Sequence, residues 1–399
     1  MVQPSLSASV RPSASEPTKL AGRYVLLDTL GTGGMGAVHR ARDEATGKIV
    51  AFKQLSVKRT GGKQRALQAL FEREFHTLAR LKHPRIIEAY DYGLCESGPY
   101  YTMELLDGAD LQQLAPLPYR DACRYLRDVA SSLALIHAQR LVHRDVSPRN
   151  VRLTQDGRAK LIDFGALAPF GPTPDVVGTP VCMAPEILRR MPIDQRTDLY
   201  ALGAVAYWAL TGQHAFPARN FNELPELWQR PPNAPSKLVA GIPPGLDALV
   251  LALLSMDPLS RPSSAAAVID QLTMHAELPP EEHDHAGDSY LSSGRMVGRD
   301  EELRWVHRRV VRALEGRGAE MLVEGPMGVG KTRLMHEVCL DAQLRGVVVL
   351  KADAQAAPGF FGVAATLAAG LLASCGSVAR RAAEPHEQLL SHLSPELQE

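Results

Sequence analysis

Between residues 24 and 55 the apolar positions fall in three short runs, 24–30, 37–41 and 49–55, separated by glycine-containing turns. Short runs of β-branched and aromatic residues bounded by turn formers predict strands. Residues 66–81 then change period, with apolar side chains three and four apart, which predicts an amphipathic helix. The order implies a small sheet carrying one helix. After Met103 the pattern is mostly helical, notably over 119–139, 199–210 and 246–254, with a β-like insert at 151–162. Residues 1–20 are rich in Ser, Pro and Ala and carry too little aliphatic surface to repay ordering, so they predict a disordered tail. An acidic, His-rich and then Ser/Gly-rich stretch at 276–294 reads as a linker. Beyond it, 300–314 places Leu303, Val306, Val310 and Leu314 on one helical stripe, and 321–323 opens a new β/α pattern. No solenoid or propeller repeat is present.

A chain of 399 residues suits two or three domains, and the pattern puts the boundaries at 21–275, 276–294 and 295–399. The 44 Lys and Arg balance the 44 Asp and Glu, so bulk charge gives no argument for a nucleic-acid partner. Phosphate recognition, if present, has to be local. Five scattered cysteines show no metal-binding or redox spacing, and no run of about 18 apolar residues predicts a membrane span. These features predict a reduced, cytoplasmic protein with no evident membrane association.

Leu30-Gly31-Thr32-Gly33-Gly34-Met35-Gly36 lies between two predicted strands. Glycines there let a hairpin lie over phosphates, although such a turn alone is more often just a turn. Farther on, His143-Arg144-Asp145 is followed by Asn150 and, after the β-like insert, by Asp163-Phe164-Gly165. Two acids and an asparagine at these intervals suit phosphoryl transfer. One group must accept a hydroxyl proton, and carboxylate or amide oxygens must hold Mg²⁺ on a triphosphate. Asp145 fits the first task, Asp163 and Asn150 the second.

With Ala184-Pro185-Glu186, Asp198, Gly203 and Arg261-Pro262 following in order, the chain from about 24 to 272 resembles the protein kinase superfamily, closest to bacterial serine/threonine kinases of eukaryotic type. The resemblance implies an α+β bilobal kinase fold, with a β-rich N-lobe, a helical C-lobe and ATP in the cleft. It implies that Lys53 reaches the α and β phosphates and is held by Glu74, with Glu72 as the other candidate. It also implies that Leu30 to Gly36 cover the nucleotide, that Val38 and Ala51 form the roof of the adenine pocket, that Met103 stands behind it, and that the hinge from Glu104 to Leu106 binds adenine. Ordinary core packing accounts equally well for these apolar residues. Implied partners are protein substrates bearing Ser or Thr, with self-association for autophosphorylation in trans. The acceptable rivals are a tyrosine or dual-specificity kinase, a catalytically weak nucleotide-binding scaffold, and a regulatory ATPase with an accessory kinase domain.

Three positions depart from the family pattern. Ser147 stands where a lysine usually neutralises the transferring phosphate, and Arg149, four residues after Asp145, is the candidate to replace it. Arg152 stands where an aliphatic residue usually lies beneath adenine, its stem serving as the floor and its guanidinium reaching solvent. Thr173 is the expected autophosphorylation site, and Arg144 is the kind of residue that pairs with a phosphothreonine.

A second glycine loop, Gly325 to Gly330 followed by Lys331 and Thr332, comes between an apolar run and a helical pattern. Backbone N–H groups there would cradle phosphate, with Lys331 on the β and γ phosphates and Thr332 on Mg²⁺. With Val297 to Leu303 ahead of it, this part resembles the entry to AAA-like (STAND-type) ATPases, and implies a partial α/β P-loop NTPase domain lacking its second acidic motif. Residues 347–350 are expected as the second strand of that sheet, and 360–372 as a helix with an exposed apolar face.

Overall fold

A computed structural model describes residues 19–32, 36–55, 62–173, 175–279, 298–326, 328–344, 347–354 and 361–386. Strands β1 (Lys19–Leu20), β2 (Tyr24–Thr32), β3 (Gly36–Asp43) and β4 (Ile49–Leu55) lead to helix α1 (Gly62–Arg80), followed by β5 (Ala89–Cys95) and β6 (Gly98–Met103). They form one six-stranded sheet in the order β1-β2-β3-β4-β6-β5, with antiparallel neighbours throughout. One face of the sheet packs Tyr24, Phe52 and Tyr100 together, with the Phe52 and Tyr100 rings stacked at 4.6 Å. The other face receives α1 through Phe71, Phe75 and Leu78, all buried.

The helical lobe begins with α2 (Leu111–Leu114) and α3 (Tyr119–Ala138). The short strands β7 (Leu141–Val142), β8 (Val151–Leu153), β9 (Ala159–Leu161) and β10 (Ala168–Pro169) follow, pairing as β10-β7 and β8-β9. Helices α4 (Pro185–Leu188), α5 (Gln195–Thr211), α6 (Leu224–Leu227), α7 (Pro244–Leu253) and α8 (Ala265–Ala276) complete it. Helix α5 is apolar nearly all round and buried along most of its length, as its position at the lobe's centre demands. Asp194 caps its start by accepting from the Arg196 N–H, and Gly212 ends it in the left-handed region at φ +67°.

Several expectations need correction. Lys19 and Leu20 pair with Val25 and Tyr24, so ordered chain starts before residue 21. Ala276, expected to open the linker, closes α8; most of that linker lies outside the described residues. The C-terminal part contributes helices α9 (Asp300–Leu314), α10 (Lys331–Leu344) and α11 (Gly362–Ala383). Its expected strands at 321–323 and 347–350 are not formed, and Leu322 is 81% exposed. An apolar run becomes a strand only where a neighbour takes up its N–H and C=O groups, and neither run has such a ladder among the described residues. On α11, Val363 and Leu371 remain exposed, as the sequence suggests.

Candidate active site

The sheet and α1 together place the first cluster. Lys53 on β4 extends its ammonium to Glu74 Oε1 at 2.6 Å, while Asp163 Oδ1 lies 3.7 Å from the same nitrogen. Burial works against the charge on Lys53, but Glu74 and then Asp163 outweigh it and hold its pKa above the ordinary lysine value. The choice between two glutamates resolves on geometry. Glu72 instead takes hydrogen bonds from Tyr92 Oη at 3.2 Å and Gln68 Nε2 at 2.9 Å.

Strands β2 and β3 bring Gly31 opposite Val38 and Thr32 opposite Ala37, so the hairpin expected over the nucleotide is present at its base. A Cβ on Gly36 would collide with the Gln54 carbonyl, which explains glycine at that position. Gly33, Gly34 and Met35 lie outside the described residues. Leu30 is 38% exposed and Ala51 is buried beside Met103, its cross-strand partner. Leu106 is buried, and the Glu104 carboxylate binds Lys160 Nζ through both oxygens at 2.8 and 2.6 Å. That ion pair ties the segment after β6 to β9, steadying the junction between lobes.

The second cluster forms around the turn after β7. Asp198 in α5, fully buried, accepts the His143 and Arg144 backbone N–H groups at 2.8 and 2.9 Å and faces His137 Nε2 at 2.9 Å. These bonds stabilise a turn in which Arg144 has φ +67°. Asp145 accepts from Thr179 Oγ1 at 2.7 Å and from Asn150 Nδ2 at 3.0 Å; the latter also bonds the Asp145 carbonyl at 2.9 Å. Burial raises the Asp145 pKa, with Thr179 and His143 offsetting only part of the rise. Asp163 adopts φ +63° and stays half exposed, its carboxylate open at the cleft. His143 packs edge-on against Phe164 at 4.9 Å, linking the two clusters.

Arg144 donates to the Ala166 carbonyl at 2.5 Å and to Thr173 Oγ1 at 2.9 Å. Arg261 meets Glu186 with two bonds of 2.7 and 2.9 Å, both side chains nearly inaccessible. Ser147 is buried and Arg149 is exposed. Arg152 departs from expectation: its guanidinium turns back onto the Gly108 carbonyl at 2.9 and 3.2 Å rather than reaching solvent. An unfilled backbone acceptor on the neighbouring segment captures it.

Among the described residues no group of three or more His, Cys, Asp or Glu is arranged to hold a metal. Asp163 and Asn150 nevertheless fit Mg²⁺, which keeps several waters and takes one or two protein oxygens beside substrate phosphates.

The sequence profile of the family described as protein kinase domain matches residues 24–275. The chain belongs to that family. The kinase domain is similar to serine/threonine-protein kinase PknB of Mycobacterium leprae, 34% identical over 281 residues, covering 66% of this chain and 45% of the relative. Serine/threonine-protein kinase PksC of Streptomyces coelicolor is 33% identical over 298 residues, covering 69% and 53%. PknB of Mycobacterium tuberculosis is 33% identical over 282 residues, covering 66% and 45%. The chain spans about half the length of these curated relatives, each of which is a serine/threonine-protein kinase.

The C-terminal loop has a different character. Gly325, Gly328 and Gly330 take positive φ values of 157°, 84° and 93°, which glycine alone adopts without strain. Lys331 Nζ folds onto its own loop, bonding the Gly325 and Pro326 carbonyls at 2.7 and 2.9 Å. Thr332 is exposed. Helix α10 rests against the N-lobe: Glu337 pairs with Arg80 at 2.5 Å, and His336 Nδ1 lies 3.4 Å from Lys82 Nζ. A cavity of about 680 Å³ lies between them, lined by Arg80, Lys82, Gly330, Arg333 and Lys351 among others.

Sequence reading missed β5 and β6, and with them Tyr101, whose hydroxyl donates to Glu74 Oε1 at 2.8 Å. The tyrosine-rich stretch around 90–101 was the available signal.

Proposed function

We propose that the chain transfers the γ-phosphoryl group of ATP to serine and threonine hydroxyls of proteins. Two clusters on opposite sides of one cleft carry the reading: Lys53 with Glu74 and Asp163, and Asp145 with Asn150 and Thr179. Lys53 binds the α and β phosphates while Glu74 holds its ammonium in place. Asp145 accepts the proton of the attacking hydroxyl, and Asn150 orients that carboxylate. Asp163 and Asn150 would hold Mg²⁺, which when bound would offset charge on the triphosphate. Thr179 already donates to Asp145, showing that an aliphatic hydroxyl reaches the carboxylate. This favours Ser/Thr acceptors over Tyr. Phosphoamino-acid analysis after labelling tests it; phosphate found on tyrosine alone would sink it.

Arg149 supplies the positive charge that Ser147 cannot, its exposed position leaving it accessible to a phosphate at the cleft's edge. Thr173 is the regulatory autophosphorylation site, in trans between two copies, since its hydroxyl already lies against Arg144. Because Thr173 is buried, its segment has to swing out to be modified. A phosphopeptide map with label confined to other segments would remove it. A scaffold that binds ATP without turnover is the second reading, favoured by the burial of Ser147.

The chain from Lys19 to Ala276 acts as the kinase, and 295–399 form part of a P-loop module that binds nucleotide through Gly325, Gly330, Lys331 and Thr332. Contacts of α10 with the end of α1 support the reading that this module tunes the kinase, because α1 carries Glu74. A cytoplasmic setting accords with free thiols at Cys95, Cys123, Cys182 and Cys339. No described helix is long and apolar enough to cross a membrane.

A further inference from the structure

We propose that Tyr101 is a positioning residue for phosphoryl transfer, its hydroxyl fixing the Glu74 carboxylate that holds Lys53. The inference rests on the assignment of Lys53 and Glu74 above. Tyr101 lies on β6 directly across from Lys53 on β4, and its side chain is 1% exposed beneath α1. Its ring contacts Phe71 and Phe75 of α1 at centroid distances of 5.1 and 5.6 Å, and the Lys53 ammonium sits 5.6 Å from its centroid. One side chain therefore touches the strand that carries the lysine and the helix that carries the glutamate.

The bonding on Glu74 is lopsided. Lys53 Nζ and Tyr101 Oη both bind Oε1, at 2.6 and 2.8 Å, while Oε2 is buried with no partner among the described residues. A buried carboxylate held by so few donors depends strongly on each, because none is replaced by water when lost. The ammonium is on a flexible stem and is drawn toward Asp163 and toward phosphate. The phenol, by contrast, stands on a sheet strand and has only one rotatable hydroxyl. It is the fixed point of the three. Full burial and the adjacent Glu74 charge push the Tyr101 pKa well above the usual phenol range, so it remains a donor at all working pH values.

Tyr92 provides a built-in control. It too bonds a glutamate of α1 from the neighbouring strand, but that glutamate is Glu72, which does not meet Lys53. Tyr92 and Tyr101 thus both anchor α1, and only Tyr101 anchors the charge that the site uses.

The test compares Tyr101→Phe with Tyr92→Phe in the full chain, measuring kcat and KM for ATP, with thermal unfolding of each. Phenylalanine preserves the packing on Phe71 and Phe75 and removes only the donor. Tyr101→Phe is expected to lower kcat/KM about tenfold, the weight of a charge-assisted bond. Tyr92→Phe is expected to keep turnover within about twofold. In a Glu74→Gln background Tyr101→Phe should add no further loss, since both act through one carboxylate. Full activity of Tyr101→Phe, equal losses in the two tyrosine variants, or a loss that multiplies with that of Glu74→Gln would each overturn the proposal. Should Tyr101→Phe unfold, Tyr101→Leu and Tyr101→Met, compared with each other at matched stability, must both show the same tenfold deficit. Lys53→Met is run in parallel: its retaining activity would defeat the site assignment itself, whereas its inactivity beside an unimpaired Tyr101→Phe defeats only this inference.

Discussion

Two glycine loops, each followed by a lysine, occur in this chain, and they are built differently. Behind the N-lobe loop, Lys53 sits on a sheet strand against a buried glutamate that a tyrosine also holds. After the C-terminal loop, Lys331 bonds the carbonyls of that same loop. Both sequence motifs are of the kind that offers backbone and a cation to phosphate, yet among the described residues only the first has a second layer of residues that fixes its cation. The lesson is that a phosphate motif names the ligand, while the layer behind it decides how precisely the ligand is held.

The largest effect that separates the loops is expected at Asp163. Asp163→Ala should cost about 10³-fold in turnover, since it removes the carboxylate beside Lys53 that is proposed to hold Mg²⁺. Lys331→Ala should leave basal turnover within about twofold and abolish nucleotide protection of the C-terminal part against proteolysis. Equal losses in the two variants would break the contrast.

Stability divides the regions in the same way. Arg261→Ala strands the buried Glu186 carboxylate, and chemical denaturation should show a loss of about 3–5 kcal/mol. Arg80→Ala breaks the exposed pair with Glu337 and should cost at most about 1 kcal/mol. A larger cost at Arg80 would mean that α10 is part of the kinase core.

Acidity sharpens the picture further. Since burial raises the Asp145 pKa, the acid limb of the kcat/KM profile should lie above that of an ordinary aspartate, with activity rising as the carboxyl deprotonates. Thr179→Val removes a bond that stabilises the carboxylate and should move that limb higher still. His83 gives the stability counterpart. Burial first, then Arg85 and Lys160, lower its pKa to about 4, so between pH 6.5 and about 4 the unfolded chain binds a proton that the folded chain refuses. Stability should fall through that window on acidification, by up to about 3 kcal/mol at its lower end, and His83→Gln should lessen the slope.

Much of the site is legible in the sequence because its groups are local to turns. His143 to Asn150 and Asp163 to Gly165 hold short spacings of the kind phosphoryl transfer uses; in the structure Asn150 bonds Asp145 and Asp163 lies 3.7 Å from Lys53. Strands β5 and β6 escape the periodic reading for a physical reason. In β6, residues 99–102 are buried in succession, between the aromatic layer on one face and α1 on the other, and in β5 only Tyr92 is buried, so neither strand carries a clean apolar alternation. Tyr101 was lost with them. Arg152 eludes sequence because its partner is a backbone carbonyl, Gly108, that carries no side-chain signature. In the C-terminal part the opposite error arises: 321–323 reads as a strand by composition, and the pairing that makes one is not among the described residues.

The central claim is that the Lys53 layer and Asp163 form one phosphoryl-transfer site. Transfer of labelled phosphate from Mg-ATP to the chain and to a generic basic acceptor tests it most directly, with wild type, Lys53→Met and Asp163→Ala side by side. The account predicts label on serine and threonine from the wild type and none above background from either variant. Undiminished labelling by Lys53→Met or Asp163→Ala, or ATP binding by the wild type without any transfer, would contradict it.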